Sequence, residues 1–350
     1  HIIFVITFIY FSTSNAKNLD KFEKADKISN YFSGILLLNQ SKFHESYSYL
    51  KKLDGLEKSH LAYSKKYLYS LVNSGNFSQA FAYSKKLERE GQDNFESDLV
   101  SGIYFLKNKK FNLSKKYFLQ AVNRNNETLL DDYVSGSLYI WSDLKKMGFE
   151  KSRLKLNELD ERFENLKKIQ TVFLNCFFES DKTLILFDNL TLDETTDFSR
   201  YNYFYAKYLE SVGKENKAKE VIENSKEKHP RNLLINQYLA YLENGENNFD
   251  FDCKKGNHVI AEILYITANA LSSQSIFTLS NFYLNLSKYL NNEFKAFDVL
   301  LAENFYRIED YSKAKKIYKK LENYGSAFKW HSNKQLSRIL ILEDKKDKSL

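Results

Sequence analysis

Six histidines and two cysteines are the residues with which this chain could hold a transition metal or form a covalent intermediate. The histidines are His1, His44, His60, His229, His258 and His331, and none stands at metal-ligand spacing from another or within an H-E-x-x-H. Cys176 and Cys253 belong to no C-x-x-C pair, so a zinc site is not predicted. Neither G-x-x-x-x-G-K-[ST] nor G-x-G-x-x-G occurs, which removes the standard backbone cradles for phosphate. The alternating acids of Asn248-Phe249-Asp250-Phe251-Asp252 suit a calcium loop, but the turn glycine and the closing bidentate glutamate are missing. That segment reads instead as an extended connector, with Phe249 and Phe251 packed inward and the acids in water. Asp131-Asp132 reads as the acidic first turn of a helix, where negative charge favours the dipole. No catalytic, cofactor-binding or metal-ligating residue is predicted, no cofactor is expected, and the chain does not read as an enzyme.

What positions these residues must be helical. In 350 residues there are one proline and eleven glycines, too few breakers for a loop-rich fold. Aromatics make up 16% of the chain, enough bulk for an extensive core. The net charge of +7 is spread over lysine doublets at Lys51-Lys52, Lys85-Lys86, Lys115-Lys116, Lys145-Lys146 and Lys315-Lys316. These read as solvated outer faces of helices, and nucleic acid is not an expected partner because no basic block carries interleaved aromatics. Two cysteines are too few for a disulfide framework, and since they fall in different repeats no bond between them is expected.

The first residues resemble an export signal. Ile2 to Phe11 is largely apolar, and Ser14 and Ala16 resemble a cleavage site that would start the mature chain at Lys17. The run is shorter than the roughly 20 apolar residues a spanning helix needs. Residues 1–16 are therefore expected to be a truncated signal peptide, with an N-terminal anchor as the alternative, and membrane contact is expected only through this segment if it is uncleaved.

A pattern of period 34 organises the rest. Gly34, Leu68, Gly102, Gly136, Val172, Ala206, Ala240, Ala268, Ala302 and Leu336 mark successive units, with about two residues inserted before Val172 and one unit shortened to 28. Most of these marks are Gly or Ala, which lets paired helices approach closely. Nine residues on stands an aromatic, as in Phe43, Phe77, Phe111, Phe249, Phe277 and Tyr311, which could plug the end of the pair. Twelve residues on stands a small residue, as in Ser46, Ala80, Ser114, Ala218, Ser280 and Ala314. Gly75 and Gly213 hold equivalent helix-ending places, and Pro230 falls at a junction between units. Such a period predicts stacked helix pairs that bury their apolar faces on one another.

Gly or Ala, an aromatic nine on, a small residue twelve on and Pro twenty-four on resemble the tetratricopeptide repeat, best in Tyr203–Pro230, His60–Arg89 and Asp298–Leu321. The usual early tryptophan is absent. The stretch from Gly256 to Leu342 is also similar to the C-terminal part of exported alphaproteobacterial repeat proteins. The resemblance implies an all-α, right-handed α-solenoid of stacked antiparallel helix pairs. Repeats are expected over 17–246, degenerate around 137–198, with a connector loop at 247–260 and further repeats over 261–350 that the end of the chain cuts short. Lys345-Lys346-Asp347-Lys348 is too polar to pack as a helix.

The resemblance also implies a concave groove lined by the first helix of each unit. Mapped onto this chain, its candidate residues are Tyr31, Lys65, Tyr69, Tyr133, Tyr203, Lys207, Tyr241, Tyr265 and Asn269. A groove so rich in tyrosine suits protein or peptide segments held by apolar contact and hydroxyl hydrogen bonds. The expected function is a monomeric, non-enzymatic scaffold in the periplasm or envelope. The alternatives are the helical superstructure of a cell-wall-acting enzyme whose catalytic domain is missing, and a membrane-anchored or cytoplasmic regulator.

Overall fold

The computed structural model describes residues 13–124, 128–246 and 250–343, with side chains from residue 24 onward except at 61. The run Ile2–Phe11, Phe249 and the tail Lys345–Lys348 lie outside the described residues. Among the described residues every regular element is helical, and successive helices pack as antiparallel pairs. The stacked-pair fold expected from the period is the fold observed.

The chain divides into two compact units, His1–Ser97 and Asp98–Leu350. The first contains the pairs α1 (Thr13–Asn39) with α2 (Phe43–Leu50), and α3 (Leu61–Asn73) with α4 (Phe77–Arg89), followed by the start of α5 (Phe95–Lys107). The division between units falls inside α5; the connector foreseen at 247–260 lies within the second unit.

The second unit continues with α6 (Phe111–Val122), α7 (Leu129–Ser142), α8 (Leu144–Met147), α9 (Phe149–Asn157), α10 (Glu164–Phe177) and α11 (Thr183–Thr191). It then runs through α12 (Arg200–Ser211), α13 (Glu215–Lys228), α14 (Leu233–Asn244), α15 (Gly256–Ser273) and α16 (Phe277–Leu290). Its last elements are α17 (Ala296–Arg307), α18 (Tyr311–Leu321) and α19 (Ser326–Leu342). All ten marks fall inside helices, and in the first helix of the pair wherever a second helix follows among the described residues. The aromatics Phe43, Phe77, Phe111, Phe277 and Tyr311 each open the second helix.

The reason for the small residues is contact. A Cβ added at Gly102 would enter the Phe118 ring, and one at Gly34 would sit 2.5 Å from Leu50 Cδ2. Ser46, Ala80, Ser114, Ala218, Ser280 and Ala314 are all buried. The aromatics behave less uniformly: Phe43 is 4% exposed but Phe111 is 56% exposed, so it does not plug its pair. Around Gly136 the second helix is broken into α8 and α9 at Gly148, whose φ of 77° no continuous helix accepts. Asp131 and Asp132 lie in the first turn of α7, as expected, behind Thr128, which accepts from Asp131 N at 3.2 Å.

A pure repeat array touches only neighbours in sequence. The second unit departs from that rule, most extensively at two places. Helix α15 packs on α7, and α19 packs on α14. The second contact has a local cause. Residues 250–255, which follow α14, are non-helical, so α14 has no second helix of its own, and α19 covers it instead. Glu246 Oε2 accepts from Ser326 N at 2.7 Å and ties the start of α19 to the end of α14.

The connector packs as read for Phe251, which is 6% exposed with its ring centroid 4.3 Å from Phe204 and 5.3 Å from Phe173. Asp250 is exposed and pairs with Lys255 at 3.0 Å. One expectation is overturned. Cys176 and Cys253, 77 residues apart, form a disulfide across a Cα–Cα distance of 6.0 Å. Different repeats do not mean different places, because the connector runs back past the C-terminal end of α10.

Candidate peptide groove

Within the second unit, the first helices α10, α12, α14, α15 and α17 converge on a cavity of about 440 Å³. Its walls include Ile169, Tyr265, Asn269 and Val299. Three of these stand three residues before a mark and Asn269 stands one after, so the repeat register itself assembles them. Only Tyr265 and Asn269 among the candidate residues meet here.

Arg200 lines this cavity and is held from behind by a buried carboxylate. Arg200 donates from Nε to Glu262 Oε1 at 2.7 Å and from Nη2 to Oε2 at 2.9 Å. Glu262 is fully buried, and burial raises its carboxyl above the usual range even with the Arg200 charge beside it. The guanidinium lies 4.0 Å from the centroid of the Tyr265 ring and 5.4 Å from those of Phe204 and Phe294. This stack fixes the Tyr265 ring, whose own phenol burial holds above its ordinary pKa.

Asparagine amides line the opening. Asn232 caps α14, its Oδ1 accepting from Leu234 N at 3.1 Å and Ile235 N at 3.3 Å, while its Nδ2 donates to Ser199 Oγ at 3.1 Å. Asn165 Nδ2 donates to Thr196 Oγ1 at 3.0 Å. Asn269 is exposed and makes no side-chain hydrogen bond among the described residues. An uncommitted amide beside an aromatic wall can bond a peptide unit through both its oxygen and its nitrogen.

The other candidates lie elsewhere. Tyr133 is buried and accepts from Gln170 Nε2 at 2.7 Å, while Gln170 Oε1 accepts from Trp141 Nε1 at 2.8 Å. Tyr203 is fully buried, edge-on to Tyr238 at 5.9 Å. Both side chains hold adjacent repeats together and have no surface to offer a ligand. Lys207 donates to Glu210 at 2.7 Å beside the connector, in a separate cavity with Asp250 and Phe251. Tyr241 is half-buried against Tyr238.

In the first unit, Tyr31 hydrogen-bonds His60 at 2.8 Å. Tyr69 donates to Glu96 Oε1 at 2.7 Å, with Lys65 Nζ 3.8 Å from the same oxygen. Sequence reasoning missed Arg200 and Glu262. The signal available was a glutamate inside the otherwise apolar run from Val259 to Leu264, a position that requires a buried partner.

Among the described residues no group of three or more His, Cys, Asp and Glu is placed to hold a metal ion, and no helix is long and apolar enough to cross a membrane. No family model and no curated protein matches the chain. Solved structures similar to it include a human IFIT1 dimer with PPP-AAAA, at 14% identity over 90% of this chain and 73% of that one, with a TM-score of 0.30. Yeast Tom70 is similar at 15% identity over 93% and 83%, with a TM-score of 0.28. The Naa15/Naa10 complex bound to HypK-THB follows at 11% identity over 93% and 67%, with a TM-score of 0.25.

Proposed function

We propose that this chain is a non-enzymatic scaffold of tetratricopeptide-like helix pairs that binds a protein segment between α10, α12, α14, α15 and α17. The observation that carries the reading is the cavity in which Tyr265, braced by the Arg200–Glu262 pair, faces the same space as the uncommitted amide of Asn269. An apolar and aromatic wall with a few polar groups is the usual make-up of a pocket that orients a ligand. An extended segment would lay a side chain against Tyr265 and bond its backbone to Asn269.

The proposed setting is the bacterial envelope, with the chain acting as a monomer. Two features support export: the apolar run Ile2–Phe11 before Ser14 and Ala16, and the Cys176–Cys253 bond, since structural disulfides persist chiefly in oxidising compartments.

The test is selection of binding peptides from a displayed library on the full chain, followed by titration of the best peptide against Tyr265→Ala and Asn269→Ala. Weakening of at least tenfold by each, with unchanged helicity, is expected. Equal affinity for both variants and the parent would remove the groove assignment.

A further inference from the structure

A second cavity, of about 630 Å³, lies elsewhere in the second unit and is built from helix ends. Lys107, Trp141 and Phe177 each stand five residues after a mark, at the C-terminal ends of α5, α7 and α10. The repeat register therefore delivers all three to one place. The packing of α15 on α7 closes the space, bringing Gly256 to where an added Cβ would lie 3.6 Å from Trp141 O. The disulfide joins two walls, because Cys176 precedes Phe177 and Cys253 precedes Lys254.

The floor is apolar, with Leu106, Trp141, Leu144 and Leu290 all buried. The rim is cationic: Lys107, Lys109, Lys145, Lys146, Lys254 and Lys255 are all exposed, and Asp143 is the one carboxylate among the lining residues. Asp143 is engaged by Lys115 at 2.6 Å. Lys254 and Lys255 pair outward with Glu179 and Asp250, and Lys107 Nζ reaches Leu290 O at 3.4 Å. Lys109, Lys145 and Lys146 have no ion pair among the described residues. The N–H groups of Gly256 and Asn257, at the positive end of the 18-residue α15, carry no hydrogen bond there either.

We infer that this cavity binds a single-chain anionic lipid, with its acyl chain on the apolar floor and its head among the lysines. The donor set selects that chemistry over a peptide. A peptide brings one N–H per residue, and each needs an acceptor when buried. Among the lining side chains the six lysines can only donate and the Asp143 carboxylate is taken by Lys115, which leaves the Ser142 hydroxyl oxygen and the amides of Asn112 and Asn257 as the side-chain acceptors against that surplus of donors. A ligand that only accepts at one end and asks for nothing at the other meets these conditions. The volume lies within the range of single small-ligand pockets, which favours one chain over two.

The chain contains two tryptophans, so Trp330→Phe leaves Trp141 as the only indole reporter. The full, oxidised chain carrying that change is titrated with decanoate, dodecanoate and tetradecanoate, each below its micelle concentration. A saturable change in Trp141 emission is expected, tightening by about fourfold for each added methylene until the floor is filled. Lys145→Glu with Lys146→Glu, on an exposed face, weakens binding at least tenfold with unchanged circular dichroism. Lys319→Glu with Lys320→Glu, exposed and remote in sequence, leaves it unchanged. Dodecyl phosphate binds as dodecanoate does, and dodecyltrimethylammonium does not bind. A silent Trp141, a Lys145/Lys146 variant that binds like the parent, or equal affinity for the cationic amphiphile would each overturn the proposal. Tyr265→Ala is expected to leave these titrations unchanged, so failure here and failure of the peptide groove are read separately.

Discussion

Ser280 in α16 donates its hydroxyl to the carbonyl of Ala268 in α15 at 2.7 Å, and Ser46 in α2 makes the same bond to Gly34 in α1 at 2.8 Å. In both pairs a residue twelve after the mark bonds the mark's own carbonyl. Ser280 Oγ also accepts from Asn304 Nδ2 at 2.9 Å, linking α17 to the same pair. Ser280→Ala removes two buried hydrogen bonds without adding volume. A loss of about 1–2 kcal/mol is expected from urea midpoints. Retention of the parent midpoint would mean that these bonds carry no net stability.

The turn after the first helix repeats in geometry more strictly than in sequence. Ser41, Gly75, Lys109, Glu179, Gly213, Ser275 and Glu309 all have positive φ, and each stands seven residues after its mark. At Glu309 the pattern is complete: Glu309 N bonds Tyr306 O at 3.0 Å, and Asp310 N bonds Phe305 O at 2.9 Å. Five of the seven are not glycine and hold a conformation that L-residues resist. Glu309→Gly is therefore expected to stabilise the chain by about 0.5 kcal/mol, and Gly75→Ala to destabilise it by about 1 kcal/mol. Opposite signs in paired thermal melts support this; a shared sign contradicts it.

That contrast shows what was legible. The marks, the small residues and the aromatics report side-chain volume at fixed spacing, and the sequence displays volume directly. The turn was visible only at Gly75 and Gly213, because elsewhere the backbone imposes the geometry on ordinary residues. The candidate groove was legible as register and not as exposure: Tyr265 and Asn269 reach the cavity, whereas Tyr133 and Tyr203 at equivalent positions are covered by Gln170 and Tyr238. What covered them, and what joined Cys176 to Cys253, were contacts between distant segments, which a local period does not encode.

The Cys176–Cys253 bond closes a loop of 77 residues, so the chain-entropy model assigns it about 4.5 kcal/mol in the unfolded state. Cys176→Ser with Cys253→Ser, or a reducing agent, is expected to lower the denaturation midpoint by an amount corresponding to about 2–4 kcal/mol. Mass spectrometry after alkylation of the unfolded, unreduced chain should find no free thiol. Two labelled cysteines with an unchanged midpoint would show that the bond does not form.

Acid should weaken the fold in a defined window. Burial pushes His258 below 6.5, opposed by Asp250 and Asp252 and aided by Lys255 and Lys107; burial, Lys334 and Arg338 do the same to His331. His258 Nδ1 accepts from Asp252 N at 3.1 Å, a bond that needs the unprotonated nitrogen. Between the folded pKa and 6.5 the unfolded chain binds more protons, so stability is full above 6.5 and falls as pH drops below it. Urea midpoints at pH 7.5 and 5.5 should differ, and by less in His258→Phe with His331→Phe. The same difference in that double variant would assign the effect to other groups.

The Arg200–Glu262 pair makes the sharpest demand on the proposed groove, because its two charges must stand or fall together. Glu262 is fully buried and the Arg200 side chain is only 20% exposed, so Glu262→Gln leaves a largely buried guanidinium without its counter-charge. A loss of about 3–5 kcal/mol is expected for that single change. Arg200→Met with Glu262→Met replaces both charges by apolar bulk and should recover most of the loss, since a buried pair and a well-packed apolar pair differ little in net stability. The double variant nevertheless removes the cation stacked 4.0 Å from Tyr265, so a peptide selected on the parent should bind it more weakly. Recovered folding with reduced peptide affinity separates the pair's two roles. A double variant as unstable as Glu262→Gln would show that the hydrogen-bonded geometry, and not the balance of charge, holds α12 to α15.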